Sequence, residues 1–92
     1  MKKLKDVEAA LKRMIELLRI GTFDDWAGTL EKIKVDFDKD QKYQSSKLLS
    51  LYGGMGSLND IVFYKNGQPQ IAENNEFDAL RTHIYELCKA LA

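Results

Sequence analysis

The sequence has one cysteine, one proline and one histidine in 92 residues, and its fourteen Lys and Arg cancel its fourteen Asp and Glu. The lone Cys88 excludes an intramolecular disulfide and a cysteine-built metal knuckle. Zero net charge excludes the basic excess that marks a general nucleic-acid binder. No run approaches the roughly 18 apolar residues of a membrane span. The longest uncharged stretch, Leu48 to Asn59, holds three glycines and two serines. The first residues, Met1-Lys2-Lys3-Leu4-Lys5, open like a signal peptide. Asp6, Glu8, Lys12, Arg13 and Glu16 then interrupt any apolar region, and no small-residue cleavage site follows. A cytoplasmic protein is expected, with neither nucleic acid nor membrane as its partner.

What is present is a folding composition, 45% hydrophobic and 30% charged. The length fits a single domain over residues 1–92 with one modest core. Leu4, Val7, Leu11, Met14 and Leu18 recur at helical spacing, with Ala10, Ile15, Leu17 and Ile20 widening the arc. This predicts a helix over 2–20 that packs on its own domain. Gly21 then fits a helix C-terminus, where positive φ costs a glycine little. Thr22 is placed to cap a second helix over about 23–35, with Asp25 three residues on. Phe23, Trp26, Leu30, Ile33 and Phe37 form its stripe. Asp38, Lys39 and Asp40 read as a turn or the start of a third helix. Tyr43, Leu48, Leu51 and Tyr52 give that helix a weaker stripe, and Gly53 ends it. Residues 1–20 carry six basic against three acidic side chains, and residues 24–40 six acidic against three basic.

Ile61-Val62-Phe63-Tyr64 is a strong strand signal, and Asn66-Gly67 is the preferred two-residue type I′ turn. Lys65 then pairs with Gln68 and Tyr64 lies opposite Pro69, whose missing N–H suits a free edge. Ile61 and Phe63 share one face; Val62, Tyr64, Pro69 and Ile71 share the other. Asn74 or Asn75 caps a last helix whose stripe is Phe77, Leu80, Ile84, Leu87, Cys88 and Leu91. The predicted class is α+β and mostly α: three N-terminal helices, a Gly-rich loop, a β-hairpin (about 61–65 and 68–72) and a C-terminal helix (about 75–91). A two-stranded hairpin is marginal alone, so it must lean on the helices.

The residues with most chemical interest lie in Tyr52-Gly53-Gly54-Met55-Gly56-Ser57-Leu58-Asn59-Asp60. Consecutive glycine N–H groups can cradle an anion. Gly53, Gly54, Gly56, Ser57, Asn59 and Asp60 are therefore the candidate ligand-binding set. No lysine follows as in a phosphate loop, and the order helix–loop–strand reverses that of a dinucleotide site. The structural alternative is a helix end followed by a close-threading connection, with Ser57 and Asp60 forming a short cap. Catalytic sets are thin. His83 lies off the core stripe, and Cys88 belongs to it, as a buried inert thiol would. An enzyme would need Asp60 and His83 to converge. Asp36, Asp38 and Asp40 alternate as in a calcium loop but lack its glycine and bidentate Glu. Glu73, Glu76 and Asp78 suit a helix N-terminus for dipole reasons alone. No metal, cofactor or catalytic residue is predicted. Tyr52, Met55, Tyr64, Pro69 and Ile71 are the candidate protein interface, since apolar bodies with polar tips favour such surfaces.

The run Leu51 to Val62, carrying Gly53-Gly54-Met55-Gly56-Ser57-Leu58-Asn59-Asp60, resembles a family of small uncharacterised bacterial proteins. The run Asn74-Asn75-Glu76-Phe77-Asp78-Ala79-Leu80-Arg81, ending Tyr85-Glu86-Leu87-Cys88, is similar to the same family. The resemblance covers the C-terminal half of the chain. It implies bacterial origin and a recurring domain of unknown function, with no catalytic residue to carry over. Proteins of this size and kind often accompany mobile elements or toxin loci.

The expected function is a small non-enzymatic protein-interaction module, accessory or immunity-type, with a protein partner of unknown identity. A homodimer through helix one or the hairpin edge is a further expectation. The alternative is a small-ligand or anion-binding domain built on residues 53–60.

Overall fold

The first helix, α1 (Lys2–Ile20), follows from a stretch with no glycine, proline or long β-branched run. Its stripe is fully internal: Val7, Leu11, Met14 and Leu18 have no exposed surface, and Ala10, Ile15 and Leu17 are buried beside them. Burying such side chains stabilises by about 1.5–3 kcal/mol each. The stripe stops at Leu18, since Ile20 is 72% exposed. The computed structural model describes residues 2–53 and 57–92.

The end of α1 departs from the expected glycine cap. The positive φ belongs to Thr22, at 65°, one residue beyond Gly21. Phe23 N–H donates to Leu18 O at 2.8 Å and Thr22 N–H to Arg19 O at 3.1 Å, the paired bonds of a Schellman motif with Thr22 at the left-handed position. Thr22 therefore does not cap the next helix; its hydroxyl donates back to Gly21 O at 2.6 Å. Gly21 is small for another reason: a Cβ there would lie 2.6 Å from Cδ1 of Phe63.

The second helix, α2 (Asp24–Asp36), has Phe23 before its first turn and no side-chain cap, though Asp24 and Asp25 favour its positive end. Ala27, Leu30 and Ile33 are buried on its inner face, followed by Phe37. A turn then leads to Asp40, whose carboxylate accepts from Tyr43 N–H at 3.0 Å and starts α3 (Gln41–Leu49). This helix is shorter than expected and buries a different face. Tyr43 is 59% exposed, while Gln44, Ser45 and Leu48 face inward. Gln44 Oε1 has no hydrogen-bond partner there, and Ser45 Oγ has only the weakly bonding Cys88 thiol beside it. An unpaired buried polar group costs about 1–3 kcal/mol, a cost that α3 carries at Gln44.

After residue 56 a 3-10 turn (Leu58–Asp60) drops Leu58 into the core. The strands are β1 (Tyr64–Lys65) and β2 (Gln68–Pro69), antiparallel, pairing Tyr64 with Pro69 and Lys65 with Gln68 as predicted. Asn66 and Gly67 have φ of 54° and 77°, which a type I′ turn requires. The hairpin is shorter than the expected 61–65 and 68–72, and α4 (Ile71–Leu91) begins before Asn74 instead of at residue 75. Asn74 is consequently not a cap. Its amide faces Phe63: Oδ1 accepts from Phe63 N–H at 2.8 Å and Nδ2 donates to Phe63 O at 3.1 Å. The side chain thus takes the Phe63 N–H that a longer β2 would have paired, while Phe63 O also accepts from Gln70 N–H.

The helix α1 packs against both α2 and α4, and α3 against α4. Arg13 of α1 is joined to Glu76 of α4 through Nε to Oε2 at 2.6 Å and Nη2 to Oε1 at 3.0 Å. The Phe63 ring meets Phe23 and Phe77 edge to face, with centroids 5.6 and 5.2 Å away, and so ties the hairpin to α2 and α4.

Candidate functional site

Two surfaces hold the residues singled out in the sequence. The first is a cleft of about 520 Å³ between the end of α3 and the middle of α4. Leu49, Tyr52, Gly53 and Asn59 line one side; Asp78, Arg81, Thr82 and Tyr85 line the other. The α4 residues follow helical spacing and form the face beside its apolar stripe. Arg81 is the fixed point of this wall. Its side chain is only 15% exposed, with the guanidinium 5.7 Å from the Phe77 ring centroid. Nη1 donates to Leu58 O at 3.2 Å, and Nη2 is paired with Asp78. Asp78 itself is 67% exposed. The Tyr52 hydroxyl donates to Arg81 O at 2.6 Å, and its ring lies 5.3 Å from that of Tyr85, tilted by 59°. Burial pushes the Tyr52 phenol well above its ordinary value.

Of the candidate ligand-binding residues, Gly53 and Asn59 reach this cleft. Gly53 has φ of 84°, a left-handed conformation suited to glycine at the exit from α3. Ser57 acts locally, since its hydroxyl accepts from Asn59 N–H at 3.3 Å and caps the 3-10 turn. Asp60 closes that turn, with its N–H donating to Ser57 O at 3.0 Å. Gly54, Gly56 and Met55 lie outside the described residues.

The second surface is the outer face of the hairpin. Ile61 and Phe63 are buried, while Val62 and Tyr64 are 41% and 63% exposed and Pro69, paired with Tyr64, is exposed too. Ile71, expected on the same strand face, is 70% exposed but is the first residue of α4, because β2 ends at Pro69. Tyr52, expected with this patch, is half-buried and turned towards α4. Gln70 N–H donates to Phe63 O at 2.9 Å, so Tyr64 falls at a non-hydrogen-bonded position and its backbone groups face away from β2.

The remaining candidates do not join either surface. Cys88 is fully buried, and burial raises its thiol above the ordinary value, opposed in part by the nearby Ser45 hydroxyl. His83 is exposed on α4. Among the described residues, no group of three or more His, Cys, Asp and Glu is placed to hold a metal ion, and no helix is long and apolar enough to cross a membrane.

Residues 19–71, more than half of the chain, match the family described as a domain of unknown function, DUF6966. The chain belongs to the DUF6966 family. Neither the comparison with curated proteins nor that with solved structures gave a match. The DUF6966 stretch runs from the last turn of α1 to the first residue of α4. It contains the run 51–62 and stops before the run 74–88. One wall of the cleft thus lies inside it, and the other, with Arg81, lies beyond it. Sequence reasoning about the glycine loop did not single out Arg81, Thr82 and Tyr85 as a wall. Their spacing marks a shared helix face, but what faces it depends on how the chain returns after α3.

Proposed function

We propose that this DUF6966 protein is a small, non-enzymatic, cytoplasmic protein-interaction module of bacterial origin, of the accessory or immunity type that accompanies mobile elements or toxin loci. The observation that carries this reading is the exposed apolar surface at and after the hairpin: Val62 and Tyr64 on its first arm, 41% and 63% exposed, and Ile71 at the start of α4, 70% exposed. The outward backbone groups of Tyr64, with exposed apolar side chains on this arm, suit an extended segment of a partner protein, which adds a strand there and packs on Val62 and Tyr64.

The test is a tagged pull-down from the native host, run with the parent and with a Tyr64→Ala, Ile71→Ser variant whose circular dichroism and melting temperature match the parent's. The parent is expected to retain a reproducible partner that the variant loses. Retention of the same proteins by both overturns the reading. A parent that is dimeric by light scattering while the variant is monomeric replaces the foreign partner with a second copy of the chain.

The cleft favours a second reading, a small-ligand or anion-binding domain in which Gly53 and Asn59 face α4. A thermal-shift panel of phosphates, nucleotides and carboxylates tests it; silence across the panel sets it aside.

A further inference from the structure

We propose that the cleft takes a small ligand bearing an anionic group on a flat ring, and that Asp78 occupies Arg81 as an internal stand-in for that anion. The proposal rests on the ligand-binding reading above and names the chemistry of its ligand.

The argument begins with Arg81. The Arg81 side chain is only 15% exposed, and a charge so far withdrawn from water calls for an opposite one. It is held in one orientation by Leu58 O at 3.2 Å and by the Phe77 ring beneath it. The two halves of its ion pair are unequal. Arg81 is anchored in the fold, whereas Asp78 is 67% exposed and touches the guanidinium from the preceding helical turn. The guanidinium has more N–H donors than the bonds to Leu58 and Asp78 use. A carboxylate or phosphate entering from solvent can take that fork in two parallel bonds, which a carboxylate one turn back on the same helix is poorly placed to do. Asp78 can then swing into water at little cost.

The rest of the wall suits such a ligand. The Thr82 hydroxyl and Asn59 amide are neutral donors in the same cleft. Leu49 and Tyr52 from one wall and Tyr85 from the other supply apolar, aromatic surface against which a flat ring can lie. The Lys89 ammonium, 5.4 Å from the Tyr85 ring centroid, adds positive charge at that end. A volume of about 520 Å³ lies within the usual range for small-molecule sites.

The experiment is an amide NMR titration of the full chain with phenyl phosphate, inorganic phosphate and benzyl alcohol. Phenyl phosphate is expected to shift the amides of Asn59, Thr82 and Tyr85 saturably, and to bind about tenfold tighter than either fragment alone. Asp78→Asn removes the competing carboxylate at an exposed position, and is expected to tighten phenyl phosphate several-fold. Arg81→Gln is expected to abolish binding. Because that change also removes the bond to Leu58 O, the decision rests on Asp78→Asn. An unchanged or weaker affinity in Asp78→Asn overturns the proposal. Inorganic phosphate binding as tightly as phenyl phosphate overturns the ring, and benzyl alcohol doing so overturns the anion. Silence from all three probes overturns this ligand class, while only silence across the wider thermal-shift panel removes the ligand-binding reading itself.

Discussion

At Gly21 a Cβ would fall 2.6 Å from Cδ1 of Phe63, 2.8 Å from its Cε1 and 3.3 Å from Cδ2 of Phe23. The rings that would have to move are themselves packed, since Phe63 is 3% exposed. Gly21→Ala is therefore expected to cost about 1–3 kcal/mol by overpacking, read as a lower urea midpoint with an unchanged slope. From the sequence, this glycine stands for a left-handed helix end. The left-handed residue is its neighbour Thr22, and the glycine is set by a ring from the hairpin. Local patterning placed the helix end one residue early, and what requires a glycine at 21 is tertiary packing, to which a local pattern is blind. Arg81 escaped notice in the same way: an arginine on a helix looks solvated until the chain that returns over it is known.

Among the elements, helix existence was legible wherever apolar spacing was strong, as in α1, α2 and α4. The exceptions are instructive. The helix α3 turns Gln44 and Ser45 inward and leaves Tyr43 in water, a choice no hydrophobic pattern would make. Its position follows from packing on α4 and from the Asp40 cap rather than from its own stripe. The hairpin register was readable from Asn66-Gly67, because turn chemistry is local, yet its length was not. Asn74 Oδ1 takes the place of the Gln70 carbonyl on Phe63 N–H, and that carbonyl instead accepts from Asn74 N–H in the first turn of α4, which begins at Ile71. Asn74→Ala leaves Phe63 N–H without that partner. A loss of about 2 kcal/mol is expected by urea denaturation, from two part-buried bonds at roughly 1 kcal/mol each. A cost below a few tenths of a kcal/mol would show that water replaces the amide.

At the scale of the whole molecule, α1 and α4 close the core over the DUF6966 stretch. Val7, Leu11 and Met14 come from one side of it in sequence, and Phe77, Ile84 and Cys88 from the other, all essentially without exposed surface. A fragment of residues 19–71 is expected to show no cooperative thermal transition, since its apolar faces would have nothing to pack on; a sharp melt would refute this. The Arg13–Glu76 pair joins the same two helices, and its hydrogen bonds hold the Glu76 carboxyl below its ordinary value of 4.5. A carboxyl lowered by folding stabilises fully above its unfolded value and loses that contribution as the pH falls through its folded one. Acid denaturation is thus expected to be shallower in Glu76→Gln than in the parent below about pH 4.5, with the two curves parallel above it. The bond between Asn74 and Phe63 also has a consequence in time. In deuterium oxide the Phe63 amide is expected to keep its proton until the whole fold opens, because its ring is clasped by α2 and α4 and its N–H by Asn74. Tyr64, one residue on and facing the free edge, should exchange early. Two adjacent amides would then report two clocks, one set by the life of the entire structure and one by the surface that awaits a partner.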